Sequence, residues 1–312
     1  MRLIKLVPDG LHLPFLRFRH VMLVVSLLAM AASIALPFVK GLNFGIDFKG
    51  GILIEIATPG PADLEALRGD LGGLGLGDVS IQGFGAPDDV LIRLGAQGEG
   101  EAQQVAIDKV RASLAERYGD AVEYRRVETV GPVVSGELIE KGALAIGLAL
   151  VAILIYIWFR FEWQFGMGAL ASLIHDVVLT IGFFSVTQLE FNLAVVAAIL
   201  TIVGYSLNDT VVVYDRIREY LRKYRSLSMI ELIDNAMNDT LNRTLMTSFT
   251  TLLAVLALYI FGGPVIQGFT AALIWGVFIG TYSSIFVAAP VLVWLNIRRD
   301  SFIPEDARDV QP

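Results

Sequence analysis

Residues 191–214 read FNLAVVAAILTIVGYSLNDTVVVY, a stretch apolar and long enough to cross a lipid bilayer as one helix. The stretch nevertheless contains Asp209, preceded by Asn208. A carboxylate at the centre of a membrane helix costs roughly 2.5–3.5 kcal/mol on insertion scales, and such groups normally face the interior of a helix bundle and have a function. We therefore predict a bundle of membrane helices in which Asp209 faces other helices and exchanges protons.

The composition also predicts an integral membrane protein. The chain has 312 residues, of which 55% are hydrophobic and 18% are charged, whereas soluble domains average roughly 45–50% and about 25%. The absence of cysteine excludes disulfides, thiolate nucleophiles and cysteine-based metal sites. His12, His20 and His175 are too scattered for a multi-histidine metal site. We predict no metal, no cofactor and no catalytic residue.

Six segments are long and apolar enough to span the membrane, since about 20 apolar residues are needed. The predicted spans are residues 20–39, 138–160, 165–187, 191–214, 245–261 and 266–295. Residues 215–244 are predicted to form a basic loop or helix, and residues 1–19 and 296–312 form the two ends. The first span lacks a small-residue cleavage site, so we interpret it as an uncleaved signal anchor.

The distribution of basic residues predicts the orientation of the spans. The short connections 188–190 and 262–265 contain no lysine or arginine. With both termini in the cytoplasm, the basic residues near the spans lie inside: Arg2, Lys5, Arg17, Arg19, Arg160, Arg216, Arg218, Arg222, Lys223, Arg225, Arg243, Arg298 and Arg299. The positive-inside rule therefore places both termini in the cytoplasm and residues 40–137 outside.

Residues 40–137 are predicted to form one α+β domain between the first and second spans. Alternating and helical patterns predict strands, helices and a turn in the order βαββαβ of a ferredoxin-like domain. The strands are residues 51–57, 78–84, 90–94 and 122–134, the helices are 62–71 and 101–118, and the hairpin turn is 85–89. Val105, Ile107, Val110 and Leu114 are the predicted core residues of the second helix. The domain is either a contact surface for an extracytoplasmic partner or a rigid spacer.

Other polar residues of the fourth span are interpreted by their position around the helix. Asp209 follows Tyr205 by one turn, and Gly204 and Asn208 share the adjacent face. Gly204 is predicted to allow a close approach of another helix. Arg243, at the start of the next span, is either the counter-charge of Asp209 or an anchor that reaches the lipid headgroups. Burial opposes ionisation of a carboxyl group and a nearby arginine favours it, so movement of Arg243 would make Asp209 gain or lose a proton.

The remaining polar candidates have less specific patterns. His175 and Asp176 lie near the middle of the third span, and adjacent helical residues point about 100° apart. Two interpretations of this pair remain: a proton relay and a contact between helices. Asp215 and Arg216 begin a basic amphipathic stretch and are interpreted as a solvated helix end. Asp47 is predicted to tie its turn to the membrane surface.

Five motifs resemble the SecD/SecF family of protein-export membrane proteins. The first, NFGIDFKGGILIEI at residues 43–56, includes the motif residues Gly45, Asp47, Gly50 and Gly51. The others are VGPVVSGELI at 130–139, VGYSLNDTVVVYDRIRE at 203–219, LNRTLMTSFTTLL at 241–253 and FGGPVIQGF at 261–269. The resemblance extends from about residue 41 to 295.

The resemblance implies a function that composition does not. SecF-type members are similar in architecture to half of a resistance-nodulation-division (RND) transporter and pair with SecD, which supplies six further spans. With the SecYEG translocon, SecA and YajC, they use the proton-motive force to complete export of a polypeptide across the bacterial inner membrane. The family's proton-passage residues fall on Asp209 and Arg243, and the length resembles that of a separate SecF rather than a fused SecDF. Membrane lipid is an implied partner, and nucleic acid is not.

Two other functions are weighed against this one. An RND-type exporter of small molecules would be expected to have larger outside domains and twelve spans in one chain. A passive assembly subunit would not require a buried titratable acid such as Asp209.

Overall fold

The computed structural model describes residues 12–98 and 100–297. Within these residues, six helices are long and apolar enough to cross a membrane, and a four-stranded sheet lies in the segment between the first and second of them. The predicted fold class, a polytopic helical membrane protein with one ferredoxin-like domain, is confirmed. The predictions for residues 1–11 and 298–312, including those for Arg2, Lys5, Arg298 and Arg299, lie outside the described residues.

The membrane part consists of long helices, several of which extend beyond their apolar runs. The first helix, α1, is preceded by a 3-10 turn at Phe15–Phe18, and the last is interrupted by a π-helical turn at Ser284–Ala288. The helices are α1 Arg19–Val39, α5 Pro132–Arg160, α6 Trp163–Thr187, α7 Leu193–Lys223, α8 Met229–Phe261, α9 Gln267–Ser283 and α10 Ala289–Trp294. The predicted connection 215–244 is therefore helical at both ends, with a short link at 224–228.

Three of these helices form the centre of the bundle. The most apolar stretches of α6, α7 and α9 are 56%, 50% and 56% buried, whereas those of α1, α5 and α8 are 11%, 6% and 11% buried. The outer helices therefore present most of their surface to lipid or to another protein.

Glycines allow the central helices to approach one another closely. A Cβ atom at Gly276 of α9 would overlap Ile202 of α7, and one at Gly280 would lie 3.1 Å from the Ser206 Cβ. The close approach predicted at Gly204 is not made among the described residues of this chain, where its position is exposed and no atom lies within 4 Å of an added Cβ. α7 and α9 approach each other on the opposite face of α7, where the glycines of α9 lie against α7.

The α+β domain has the predicted βαββαβ order. Its antiparallel sheet has the strand order β2-β3-β1-β4, and both long helices contribute side chains to a single core. The elements are β1 Gly51–Ala57, α3 Leu64–Gly72, β2 Val79–Phe84, β3 Ala86–Leu94, α4 Glu101–Tyr118 and β4 Glu123–Val130, with α2 Ile46–Lys49 before β1. This is the topology of a ferredoxin-like domain.

Three local predictions for the domain are wrong. Val105 is 53% exposed, because the buried face of α4 is formed by Ala106, Ile107, Val110 and Leu114, and Val105 points away from it. The last strand ends at Val130 rather than at residue 134, since Pro132 begins α5, and proline favours the first turn of a helix. The predicted turn 85–89 is mostly strand, because β3 already begins at Ala86.

A short segment before β1 attaches the domain to the outer end of the membrane part. The backbone N–H of Gly45 donates to the Phe191 carbonyl at 2.9 Å, and the Phe191 N–H donates to the Asn43 carbonyl at 2.8 Å. Arg93 of β3 forms an ion pair with Glu190, which precedes α7. The domain and the start of α7 are therefore joined by both backbone and side-chain contacts.

Gly51 gives a test of this junction. Its φ is +128°, and an added Cβ would overlap the carbonyl oxygen of Leu94 in the neighbouring strand. We expect Gly51→Ala to destabilise the domain by at least about 2 kcal/mol, since both the backbone conformation and the space exclude a side chain. The measurement is protease resistance of the full chain in membranes during a temperature ramp.

Gly60→Ala is the matched control. Its position has no atom within 4 Å of an added Cβ and no left-handed φ, so wild-type resistance is expected. Equal resistance of the two variants would show that the β1 position does not require glycine.

Candidate functional site

Asp209 lies inside the bundle, on the face of α7 that packs against neighbouring helices. Its side chain is 3% exposed. The buried residues of α7 recur every three or four positions, which is typical of a helix with one packed face. Among them are Val195, Ile199, Ile202, Ser206, Asp209, Val213 and Ile217. The acid is therefore placed in the protein interior by the same periodicity that buries the apolar residues.

Two side chains fix the outer end of α7. The Asn192 side chain accepts a hydrogen bond from the Val195 N–H at 3.2 Å, and Asp47 of α2 accepts one from the Leu193 N–H at 2.8 Å. Helix amino termini carry unpaired N–H groups and partial positive charge, so both acceptors stabilise this end. Asp47 thus ties α2 to the first turn of the helix that contains Asp209.

The neighbours of the Asp209 carboxyl group come from α8. Thr247 lies beside it, with a hydroxyl group that donates to the backbone carbonyls of Arg243 and Thr244, and Arg243 is close enough to act on it electrostatically. Among the described residues no salt bridge joins Asp209 to Arg243, whose side chain is exposed in this chain. The Asp209 Oδ2 atom is buried and has no hydrogen-bond partner in the described part of the chain. This oxygen is available to bind a proton.

Two threonines of α8, within one turn of Arg243, were not predicted. Thr247 lies one helical turn after Arg243, and the hydroxyl group of Thr244 is buried without a hydrogen-bond partner among the described residues. The i, i+4 spacing of Arg243 and Thr247 is a signal that could have placed Thr247 on the same face. The signal for Thr244 is weak, because hydroxyl residues are frequent throughout this segment.

The other polar residues of α7 divide between its two faces. Tyr205 donates to Ser248 of α8 at 3.3 Å, and Ser248 is 2.8 Å from Thr281 of α9, so these hydroxyls join three helices. Asn208 is exposed and lies on the same open side as Gly204. The structure therefore brings Asp209 and Arg243 to neighbouring helices but leaves Asn208 outside the interior of this chain.

Asp176 occupies a second buried polar cluster, at the contact of α6, α7 and α9. Its Oδ2 atom accepts hydrogen bonds from Ser206 at 2.5 Å and from Ser283 at 2.8 Å. Its Oδ1 atom is 3.0 Å from His175 Nδ1. Two serine donors and the adjacent His175 therefore surround the Asp176 carboxyl group in the low-dielectric interior. Asp176 is thus a contact between helices, and the serines that partner it were not predicted.

His175 faces a different space from Asp176. Its ring stacks on Tyr282 with the ring centres 5.7 Å apart. It lines a cavity of about 620 Å³ between α1, α6 and α9, together with Ser26, Ser33 and Trp275. On α7, Ser206, which donates to Asp176, precedes Asp209 by about one turn.

Asp215 and Arg216 lie near the helix ends that are farthest from the α+β domain. Asp215 of α7 accepts a hydrogen bond from Arg160 of α5 at 2.8 Å, and Arg216 pairs with Glu219 and Asp239 at 2.6 Å each. All of these side chains are at least 36% exposed. They connect helix ends at the surface and do not reach the buried acids.

Glu190 is a further residue that sequence reasoning missed. It is the one charged residue of the short connection 188–190, and it pairs with Arg93 across the junction of domain and membrane part. Its isolation in a neutral connection is the signal that could have identified it. No group of three or more potential ligands for a metal ion is found within the described ranges.

Comparison with known families places this geometry in context. Residues 109–298 match the family model for protein export membrane protein SecD/SecF, C-terminal, and residues 35–58 match the SecD/SecF GG motif. The protein translocase subunit SecF of Rickettsia felis is 46% identical over 296 residues, which cover 95% of this chain and 96% of that protein. The same subunit of Rickettsia prowazekii is 45% identical over 296 residues, with 95% of each chain covered.

Solved structures that match this chain are also of SecD/SecF proteins. The crystal structure of SecDF from Thermus thermophilus, a translocon-associated membrane protein, matches with a TM-score of 0.82 and 35% identity over 92% of this chain. SecDF in its super-membrane-facing form matches with a TM-score of 0.69 and 35% identity over 96% of this chain. The chain spans 39% and 40% of the length of those SecDF chains. On the strength of near-complete coverage by SecF relatives and of the two matching motifs, this chain belongs to the SecD/SecF family of protein export membrane proteins.

Proposed function

We propose that this chain is the SecF-type subunit of a complex that uses the proton-motive force to assist protein translocation. The observation that carries the proposal is the buried Asp209 carboxyl group, which has an unpaired oxygen and has Thr247 and Arg243 of the next helix beside it. Moving one charge through the full membrane potential releases about 2.3 kcal/mol per 100 mV. That energy is sufficient to shift an equilibrium between two helix arrangements by more than tenfold.

The proposed orientation has both termini in the cytoplasm and the α+β domain in the periplasm of a bacterial inner membrane. Arg160, Arg218, Arg222 and Lys223 lie at the ends of α5 and α7 on one side. The connections at the other side, between α6 and α7 and between α8 and α9, contain no basic residue. The positive-inside rule supports this assignment.

The proposed main partner is SecD. The chain covers about two fifths of a SecDF chain, which leaves room for a second half with its own helices. Asn208 of α7 and Arg243 of α8 are exposed within membrane helices, and polar groups at membrane depth are expected to be covered by protein rather than lipid. SecYEG, SecA, YajC and the exported polypeptide are the further proposed partners.

The coupling step follows from the contacts of Asp209. When its carboxyl group is ionised, the positive charge of Arg243 and the Thr247 hydroxyl stabilise it. When the group binds a proton, the attraction to Arg243 is lost, and α7 and α8 can change their relative position. Because Asp47 and Glu190 join the outer end of α7 to the domain, such a change is passed to the periplasmic side.

Replacement of Asp209 by asparagine tests the proposal. The amide has nearly the same size but does not titrate, so we expect Asp209→Asn to assemble normally and to lower export in membrane vesicles to the level seen without a proton gradient. Asp215→Asn is the matched control, since Asp215 lies on the same helix but is 44% exposed. Proton-dependent export at the wild-type level in Asp209→Asn would contradict the proposal.

Replacement of Arg243 tests the role of the positive charge. We expect Arg243→Ala to remove the proton-dependent part of export and Arg243→Lys to retain a measurable fraction of it, because lysine keeps the charge without the guanidinium geometry. The readout is the export rate with and without an imposed pH gradient. Arg222→Ala, at an exposed position near the end of α7, should behave as wild type. Equal rates for Arg243→Ala and wild type would exclude a role for this charge.

A further inference from the structure

Strand β2 has one unpaired edge. The sheet order β2-β3-β1-β4 leaves β2 and β4 at the two edges. The Gly95 N–H donates to the Asp78 carbonyl at 2.8 Å, just before β2 pairs with β3. Hydrogen-bonded and non-hydrogen-bonded pairs alternate in an antiparallel ladder, so the backbone groups of Val79, Ile81 and Gly83 point away from β3.

A side-chain contact agrees with this assignment of the edge. Arg68 of α3 donates to the Ile81 carbonyl at 3.0 Å, from the side away from β3. Among the described residues, the amide N–H groups of Val79, Ile81 and Gly83 have no backbone partner outside the sheet. Apart from the Ile81 carbonyl, which already accepts from Arg68, β2 therefore presents backbone donors and acceptors at the two-residue spacing of an extended chain.

The two edges of the sheet differ in charge. Residues 79–84, VSIQGF, contain no charged side chain, whereas β4 contains Glu123, Arg125, Arg126 and Glu128. Native proteins commonly protect free edges with charged residues, because an unprotected edge pairs readily with another strand. β4 carries charged residues of its own, whereas the charge at the β2 edge comes from Arg68 of α3.

Space for an added strand lies beside β2. A cavity of about 760 Å³ is bounded by β2 on one side and by Phe44 and Lys49 of the preceding segment on the other. A second cavity of about 450 Å³ adjoins Gln82 and the outer connection at Glu190. The open edge therefore lies next to the outer side of the membrane part.

We propose that the free edge of β2 binds an extended segment of the exported polypeptide as an additional strand. This inference rests on the proposed function, which supplies an unfolded chain on this side of the membrane. Main-chain hydrogen bonds make strand addition tolerant of sequence, which suits a partner whose side chains vary from one exported protein to the next.

Disulfide cross-linking tests the register of such a strand. The chain contains no cysteine, so Gln82→Cys introduces the single thiol. The probe is a cysteine-free exported polypeptide arrested during translocation into vesicles containing the complete complex, with one cysteine moved residue by residue. Strand addition predicts that cross-linking yields at alternate positions differ by about fivefold or more, because side chains alternate between the two faces of a strand.

Glu123→Cys on β4 is the matched control and should show no alternation. Yields that do not alternate at Gln82→Cys, or cross-links mainly to the partner subunit or to a second copy of this chain, would overturn strand addition. If strand addition is overturned but Asp209→Asn still removes proton-dependent export, the proposed function stands without strand addition. If the exported chain reaches neither thiol and export does not depend on Asp209, both are wrong.

A backbone variant separates main-chain from side-chain binding. The Gly83 N–H points away from β3, so Gly83→Pro removes a donor of the free edge without removing a bond of the sheet. We expect it to lower the yield at Gln82→Cys about fivefold, the effect of one lost hydrogen bond, whereas Gly83→Ala should not change the yield. An added Cβ at Gly83 is 3.7 Å from Leu64, so alanine fits. Equal yields in both variants would overturn the proposal, and the alternation test applies unchanged if Gly83→Pro does not fold.

Discussion

Within a lipid bilayer, every buried polar group must find its partner inside the protein. The packing of α6, α7 and α9 meets this requirement around Asp176, whose carboxylate accepts hydrogen bonds from Ser206 and Ser283. The same helices approach closely at Gly276 and Gly280. These contacts fix the direction in which α7 faces the bundle, and thereby place Asp209 in the interior one turn further along.

The two buried acids have different degrees of partnering. Asp176 has three close partners and joins helices, whereas Asp209 keeps one oxygen without a partner among the described residues. A fully partnered group stabilises one arrangement, and an incompletely partnered one responds to a change in its neighbours. In the proposed coupling step, the interaction that changes is therefore on the α8 side of α7, while the contacts with α6 and α9 stay in place. The contacts of Asp47 and Glu190 join this part of the bundle to the α+β domain.

The sequence was sufficient for the properties that depend on periodicity and composition. Six apolar runs, the βαββαβ order and the burial of Asp209 follow from local patterns. Properties that depend on how helices cross were not predictable, because Ser206 and Ser283 look like ordinary small residues in the chain. For the same reason the sequence did not show that Gly204 has no close neighbour among the described residues of this chain: a glycine in a helix does not reveal which face meets a neighbour. Val105 was wrongly assigned to the core of the domain. Hydrophobicity alone does not distinguish an apolar residue beside the buried face of a helix from one that lies on that face.

The most direct measurement of proton binding at Asp209 is infrared difference spectroscopy of the complete complex in membranes. The outside pH is stepped while the inside pH is held constant, and the carbonyl band of a protonated carboxyl group is recorded for wild type and Asp209→Asn. Proton coupling through Asp209 predicts a band that changes with outside pH in wild type and is missing in Asp209→Asn. Identical spectra for the two proteins over the whole pH range would contradict it.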